Sequence, residues 1–178
     1  MQRKLGFSLF QRLSNSLRLP FRPQALVMDF DGVLTDNRVI VTEDGREAVL
    51  CHRGDGLGLS LLRDKGFPLL ILSREPNPVV AQRAKKLKVE CLSGCRDKLS
   101  ALKAWADGKS LILEKIVYIG NDVNDLECIQ AVGLGVAVAD AEAAVLDAAQ
   151  LILTKKGGSG AVREISDMIR LKLGEAHE

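Results

Sequence analysis

After Pro23 the chain alternates between short apolar runs rich in Val, Ile and Leu and longer segments whose apolar positions recur at helical spacing. A short run that is apolar on both faces suits a strand covered from both sides, and the intervening helices supply the cover. The pattern therefore predicts an α/β fold: a parallel sheet with helices on both faces. Strands are expected near Ala25–Phe30, Pro68–Leu72, Val89–Leu92, Lys115–Ile119, Leu134–Ala139 and Gln150–Leu153. Helices are expected near Asp55–Lys65, Pro78–Leu87, Arg96–Trp105, Val123–Val132, Ala141–Ala148 and Gly160–Leu173, with Gly66 and Gly133 as C-terminal caps of two of them. On the second helix Val80, Ala84 and Leu87 form the buried stripe, with Arg83 and Lys86 on its flank. Ser110–Leu113 fits neither pattern.

One stretch departs from the alternation. Arg38–Val41 and Glu47–Cys51 read as two short strands joined through Asp44-Gly45, a hairpin turn signal, giving a flap at about 37–52. No insertion is large enough for a separate cap domain. A site with only a small flap needs enclosure from elsewhere, so a homo-oligomer is expected.

With 178 residues, the chain suits one domain with a single core. The expected division is a basic N-terminal extension at 1–22, a core domain at 23–174 and a short tail at 175–178. The first 28 residues hold five basic residues and no acid. A net charge of +2 and few aromatic residues give no basis for nucleic-acid binding, which points to a small-molecule partner. No apolar run approaches the roughly 20 residues a membrane span needs. Cys51, Cys91, Cys95 and Cys128 contain no C-x-x-C pair and are expected to be reduced and mostly buried, and with no secretory signal the cytoplasm is the expected compartment.

The chemistry concentrates in Asp29-Phe30-Asp31-Gly32-Val33-Leu34-Thr35, at the end of the first apolar run. Two carboxylates two positions apart on a strand face the same side, and such a pair calls for a compensating cation, most naturally Mg²⁺. Further polar clusters follow strands at the same end of the sheet: Ser73, Lys98 at a helix start, and Gly120-Asn121-Asp122-Val123-Asn124-Asp125. A hydroxyl and an ammonium suit phosphate, whereas carboxylates and an amide oxygen suit a hard metal. Taken singly, Ser73 reads equally as a loop cap, Lys98 as a solvated helix lysine and the Asn-Asp turn as a helix N-cap. An EF-hand is excluded by Val33 and the glycine spacing, and Gly54-Asp55-Gly56-Leu57-Gly58 lacks the third glycine of a dinucleotide site. A glycosyltransferase Asp-x-Asp is the weaker alternative.

Together these four clusters resemble the four motifs of haloacid dehalogenase superfamily phosphatases, over about residues 25–171. The segments Asp29 to Asp36, Arg53-Gly54-Asp55-Gly56-Leu57-Gly58 and Gly157-Gly158-Ser159-Gly160-Ala161-Val162-Arg163-Glu164 resemble the capless group that acts on 3-deoxy-D-manno-octulosonate 8-phosphate and 2-keto-3-deoxynonulosonate 9-phosphate. The resemblance implies a three-layer Rossmann-like core, a homotetramer and an Mg²⁺-dependent phosphatase. It makes Asp29 the nucleophile and Asp31 the general acid and base, with Thr35, Ser73 and Lys98 holding the phosphoryl group. The metal would take the Asp29 carboxylate, the Asp31 carbonyl and a third ligand. Relatives commonly carry aspartate where this chain has Asn121, which leaves Asn121 or Asp122 for that role and Asp125 to orient metal-bound water.

The resemblance also bears on substrate. Glu75, Arg83 and Lys86 match the set that nonulosonate phosphatases use for the sugar acid, although Arg83 and Lys86 read equally as surface charges on a basic helix. Gly157–Gly160 reads as a mobile loop, so that Gly158 and Arg163 join the sugar site, or as a plain turn with a helix cap, and Arg53 and Asp55 either orient substrate across a subunit boundary or simply start a helix. The expected function is hydrolysis of a nonulosonate 9-phosphate. The alternatives are the octulosonate 8-phosphate, a broader range of sugar phosphates, or a non-catalytic oligomerisation domain of the kind attached to cytidylyltransferases.

Overall fold

The computed structural model describes residues 19–174, so the expectations for 1–18 and 175–178 lie outside the described residues. Six strands form one parallel sheet: β1 (Ala25–Met28), β4 (Leu69–Leu72), β5 (Glu90–Leu92), β6 (Ile116–Gly120), β7 (Leu134–Ala137) and β8 (Leu151–Ile152). Their spatial order is β5-β4-β1-β6-β7-β8. The four central strands are buried at every residue, as their unbroken apolar runs require. A two-stranded hairpin, β2 (Ile40–Val41) with β3 (Glu47–Ala48), stands apart from the sheet.

Helices α1 (Arg53–Arg63), α2 (Pro78–Leu87), α3 (Lys98–Gly108), α4 (Leu126–Ala131), α5 (Ala143–Ala148) and α6 (Ala161–Leu173) fill the connections. The chain moves one way along the sheet from β1 to β5 and the other way from β5 to β8. Right-handed crossovers then place α1 and α2 on one face and α3, α4 and α5 on the other. The packing agrees: α1 lies against α6 and α2, and α4 lies against α3 and α5. The described residues form the expected three-layer core, with no cap domain among them. No helix of the described residues is long and apolar enough to cross a membrane.

The apolar stripes behave as their spacing indicates, with Val80, Ala84 and Leu87 buried on α2. That helix starts at Pro78 because Asn77 caps it, accepting from the Val79 N–H at 3.0 Å. Most strands are shorter than expected. β1 ends at Met28 rather than Phe30, and the hairpin arms pair over two residues each, with a Thr35–Cys51 bridge closing the base. Ile116 follows a 3-10 turn over Leu113–Lys115. Leu19 is buried and Phe21 packs on the same core, so the core begins before residue 23. Of the four free cysteines only Cys128 is fully buried, the other three being half-buried.

Gly133 corrects the sequence reading. α4 stops at Ala131 with Val132 extended, so Gly133 is not a left-handed cap. It is small because a Cβ there would lie 1.8 Å from the Glu114 carbonyl oxygen. Gly66, by contrast, has φ +72° and nothing near it. Gly66→Ala is expected to cost about 1 kcal/mol, and Gly133→Ala roughly 1–3 kcal/mol through overpacking. Urea midpoints at constant m-value read the difference, and a larger loss at Gly66 would contradict the close-approach account.

Candidate active site

Chain order reverses between β1 and β6, and ligands bind open α/β sheets outside the strand ends at such a reversal. Asp29 is the first residue beyond β1. Its N–H donates to the Ile119 carbonyl at 3.0 Å, which keeps it beside β6. The chain then turns: the Leu34 and Thr35 N–H groups donate to the Phe30 carbonyl, and Gly32 takes φ +75°. This turn, not the strand pleat, brings Asp31 to the same pocket as Asp29. Asn121, just past β6, completes the crevice and packs so closely on Gly32 that a Cβ there would meet its Nδ2 at 2.1 Å.

A pocket of about 170 Å³ is lined by Asp29, Asp31, Ser73, Glu75, Asn121 and Asp122, together with Asn37, Arg74 and Asn124. Behind it Lys98, at the first turn of α3, is buried between two carboxylates. Its Nζ lies 2.8 Å from Asp29 Oδ2 and 2.7 Å from Asp125 Oδ1. Burial alone would lower the Lys98 pKa, but the charges of Asp29 and Asp125 outweigh it and raise it above the usual value. Burial, reinforced by the Asp125 charge and opposed by Lys98, pushes Asp29 up to about 7. Asp31 is also raised, first by burial and then by the Glu75 charge.

Asp125 is a scaffold here, not an orienter of metal-bound water. Its Oδ1 accepts from Lys98 and from the Tyr118 hydroxyl at 2.7 Å, and its Oδ2 accepts from the N–H groups of Asn121 at 3.0 Å and Asp122 at 3.4 Å. Four donors leave a carboxylate no lone pair to spare. The sequence reading missed Tyr118. The signal was available, since a tyrosine inside a fully buried strand must find a partner for its hydroxyl.

The metal question turns on the oxygens in the crevice. Asn121 Oδ1 is buried without a partner, a costly arrangement unless something fills the gap. Asp122 Oδ1 instead accepts from the Val123 N–H at 2.6 Å as a helix cap. Among the described residues no cluster of three His, Cys, Asp or Glu side chains is arranged as a metal site. A cation here would therefore draw on the Asp29 carboxylate, main-chain carbonyl oxygen and Asn121 Oδ1. That all-oxygen set fits a hard divalent ion.

Other expected site residues lie elsewhere. The Thr35 side chain is buried in the turn, accepting from the N–H groups of Gly32 at 3.1 Å and Asn37 at 3.3 Å, and its hydroxyl also hydrogen-bonds to Asp31, so it braces the loop and the Asp31 carboxylate rather than lining the pocket itself. Gly158 sits behind that loop, where its N–H donates to the Val33 carbonyl at 3.0 Å. Gly157 donates to Asp140 Oδ1 at 2.9 Å, so this segment is hydrogen-bonded on both sides as a turn leading into α6. Asp55 is buried and accepts from the Arg163 N–H at 2.8 Å, which joins α1 to the start of α6. The Arg163 side chain pairs with Asp167 at 2.7 Å. Arg53, Arg83 and Lys86 line a separate groove of about 690 Å³ between α1 and α2; it is roomier than the acidic pocket but holds none of its carboxylates.

Comparison with known proteins agrees with this geometry. A family model for haloacid dehalogenase-like hydrolases matches residues 71–165. The chain belongs to this family. It is 34% identical over 152 residues to the 3-deoxy-D-manno-octulosonate 8-phosphate phosphatase KdsC of Haemophilus influenzae, covering 85% of this chain and 84% of that one. Among solved structures, a Streptomyces avermitilis chain assigned at family level as a HAD hydrolase is 50% identical, with a TM-score of 0.83, covering 86% of this chain and 90% of that one. The Moraxella catarrhalis octulosonate 8-phosphate phosphatase, determined with magnesium, phosphate and KDO, is 31% identical, with a TM-score of 0.82 and coverage of 91% and 92%. This haloacid dehalogenase-like protein is thus a phosphoric monoester hydrolase, a phosphatase of a family that uses a divalent metal.

Removing Lys98 from this phosphatase leaves two buried carboxylates facing each other. Lys98→Met is expected to destabilise the fold by roughly 3–5 kcal/mol, and Tyr118→Phe by about 1–3 kcal/mol, since Asp125 loses one of four donors. Denaturant unfolding of both variants checks the order. A Tyr118→Phe loss exceeding that of Lys98→Met would show that the lysine is not what holds the carboxylates together.

Proposed function

We propose that this chain is a cytoplasmic, Mg²⁺-dependent phosphatase of ulosonic acid phosphates working through an aspartyl-phosphate. The observation that carries the proposal is the pocket in which Asp29, gripped by buried Lys98, lies with Asp31 beside the unpartnered oxygen of Asn121. Asp29 attacks phosphorus; an ionised carboxylate needs no base to do so. The bond from phosphorus to the sugar oxygen breaks, and Asp31, its pKa raised by burial and by Glu75, gives that oxygen its proton. Water then attacks the aspartyl-phosphate, Asp31 takes the proton back, phosphate leaves and Asp29 is regenerated. Lys98 has a third N–H beyond the two used by Asp29 and Asp125, and with the Ser73 hydroxyl it holds the phosphoryl oxygens. Mg²⁺ bound by the Asp29 carboxylate, the Asp31 carbonyl and Asn121 Oδ1 would screen the repulsion between carboxylate and phosphate.

The favoured substrate is a nonulosonate 9-phosphate, because Glu75 lines the pocket. The octulosonate 8-phosphate is the second reading, supported by the names of the curated relatives. Arg83 and Lys86, the other members of the sugar-acid set, open on a different groove of the same chain. A second copy has to bring them to the sugar, which favours a homo-oligomer, taken as a tetramer. The hairpin suits that assembly, since Val39, Ile40, Val41 and Leu50 leave their apolar side chains exposed.

Phosphate release from nine- and eight-carbon ulosonic acid phosphates should require Mg²⁺, prefer the nine-carbon substrate and disappear in Asp29→Asn. Release from neither substrate would move the chain to the non-catalytic oligomerisation reading, and turnover retained in Asp29→Asn would sink the nucleophile. Mg²⁺ binds only the folded site, so it should raise the melting temperature. Asn121→Ala is expected to abolish that rise, whereas Asp122→Asn keeps most of it; the reverse order would make Asp122 the ligand.

A further inference from the structure

A second cavity of about 280 Å³ adjoins the phosphate-sized pocket and shares Asp31, Asn37 and Glu75 with it. Its outer wall comes from the hairpin, through Arg38 and Glu47, and from Val79 on α2. A phosphate ester seated at Asp29 directs its ester oxygen toward Asp31, so the first carbons of the leaving group enter this cavity. On the phosphatase reading above, we propose that Glu47 is a specificity-determining residue that accepts hydrogen bonds from hydroxyl groups on those carbons.

Asn77 fixes the arrangement. Its side-chain Nδ2 donates to Glu47 Oε2 at 2.8 Å, and its main-chain N–H donates to Glu75 Oε1 at 2.8 Å. Each carboxylate thus gives one oxygen to Asn77, and no described residue donates to Glu47 Oε1 or Glu75 Oε2. The hairpin is otherwise exposed, and Asn77 ties it to the N-terminus of α2 across 30 positions of sequence. Carboxylate acceptors held in place favour hydroxyl donors, and with Asp31, Glu47 and Glu75 against the single cation Arg38 among the described lining residues the cavity disfavours a second anionic group, so the leaving group carries hydroxyls next to its phosphate and any carboxylate farther out. A site built to hydrogen-bond hydroxyls discriminates against leaving groups that lack them.

The test compares kcat/KM for a linear alditol phosphate with that for phenyl phosphate, with Mg²⁺ present, in wild type, Glu47→Gln and Asn77→Asp. Asn77→Asp retains the capping acceptor for Val79 and loses the Nδ2 donor. In both variants the alditol-to-phenyl ratio is expected to fall about tenfold, mainly through KM of the alditol ester. A ratio within about twofold of wild type in Glu47→Gln overturns the role of Glu47, and a fall in Glu47→Gln alone overturns the lock by Asn77. Wild-type hydrolysis of phenyl phosphate without measurable alditol phosphate turnover also overturns the proposal while sparing the phosphatase. If wild type hydrolyses neither ester yet releases phosphate from an ulosonic acid phosphate, the role of Glu47 falls and the phosphatase stands; release from none of these substrates overturns both.

Discussion

The ammonium of Lys98, buried between the carboxylates of Asp29 and Asp125, ties together three parts of the chain that are distant in sequence. Asp29 leaves β1, Lys98 opens α3 beyond β5, and Asp125 follows β6. Two carboxylates and one ammonium out of water are unfavourable unless their geometry is good and their remaining hydrogen bonds are made. Those bonds are made here by Tyr118, by the N–H groups of Asn121 and Asp122, and by the Phe30 N–H, which donates to Asp29 Oδ1 at 2.7 Å. The fold therefore fixes the reactive carboxylate and the loop bearing Asn121 with a single buried network.

The opposite side of the catalytic turn is held by close backbone approach. A Cβ on Gly157 would lie 1.9 Å from the Gly32 carbonyl oxygen, and one on Gly158 would lie 2.4 Å from the Asp36 nitrogen. The segment before α6 can press against residues 32–36 only because it carries no side chains there. Asp55 then fixes α6 to α1 through the Arg163 N–H, and a Cβ on Gly58 would already be 3.0 Å from Arg163 Cδ. Residues that look like substrate ligands in the sequence thus also brace the turn, and a nucleophile positioned to well under an ångström benefits from such bracing.

This explains what could be read from the sequence. The central strands and the parallel topology followed from apolar runs that survive folding unchanged, whereas Asp29 and Asp31 share a pocket as the short motif suggests but through a turn and not through the strand pleat. Roles that depend on competition between partners could not be read this way. The Thr35 hydroxyl looks suited to phosphate until its lone pairs are seen to accept from Gly32 and Asn37 and its O–H to bond to Asp31. Asp125 looks like a metal-site carboxylate until its four donors are counted. Arg83 and Lys86 share a helix flank, as their spacing implies, yet the direction of α2 turns that flank toward α1 and away from Glu75. Spacing along an element gives a face, whereas only the packing of elements decides which site the face meets.

Charge is the remaining constraint, and it bears on why position 121 holds an amide. Asp29, Asp31, Asp122 and Glu75 already line a pocket that must accept a phosphate, and among the described residues Arg74 is the one cationic side chain on its wall. Lys98 stands behind, largely balanced by Asp29 and Asp125. A further carboxylate beside Gly32 would strengthen the hold on a divalent cation, but it would also repel the incoming phosphate and push the Asp29 pKa higher whenever the cation is absent. An amide keeps an oxygen aimed into the crevice without that cost. If Asn121 holds the metal as proposed, metal affinity and phosphate entry pull in opposite directions at a single atom, and the amide trades some of the first for the second.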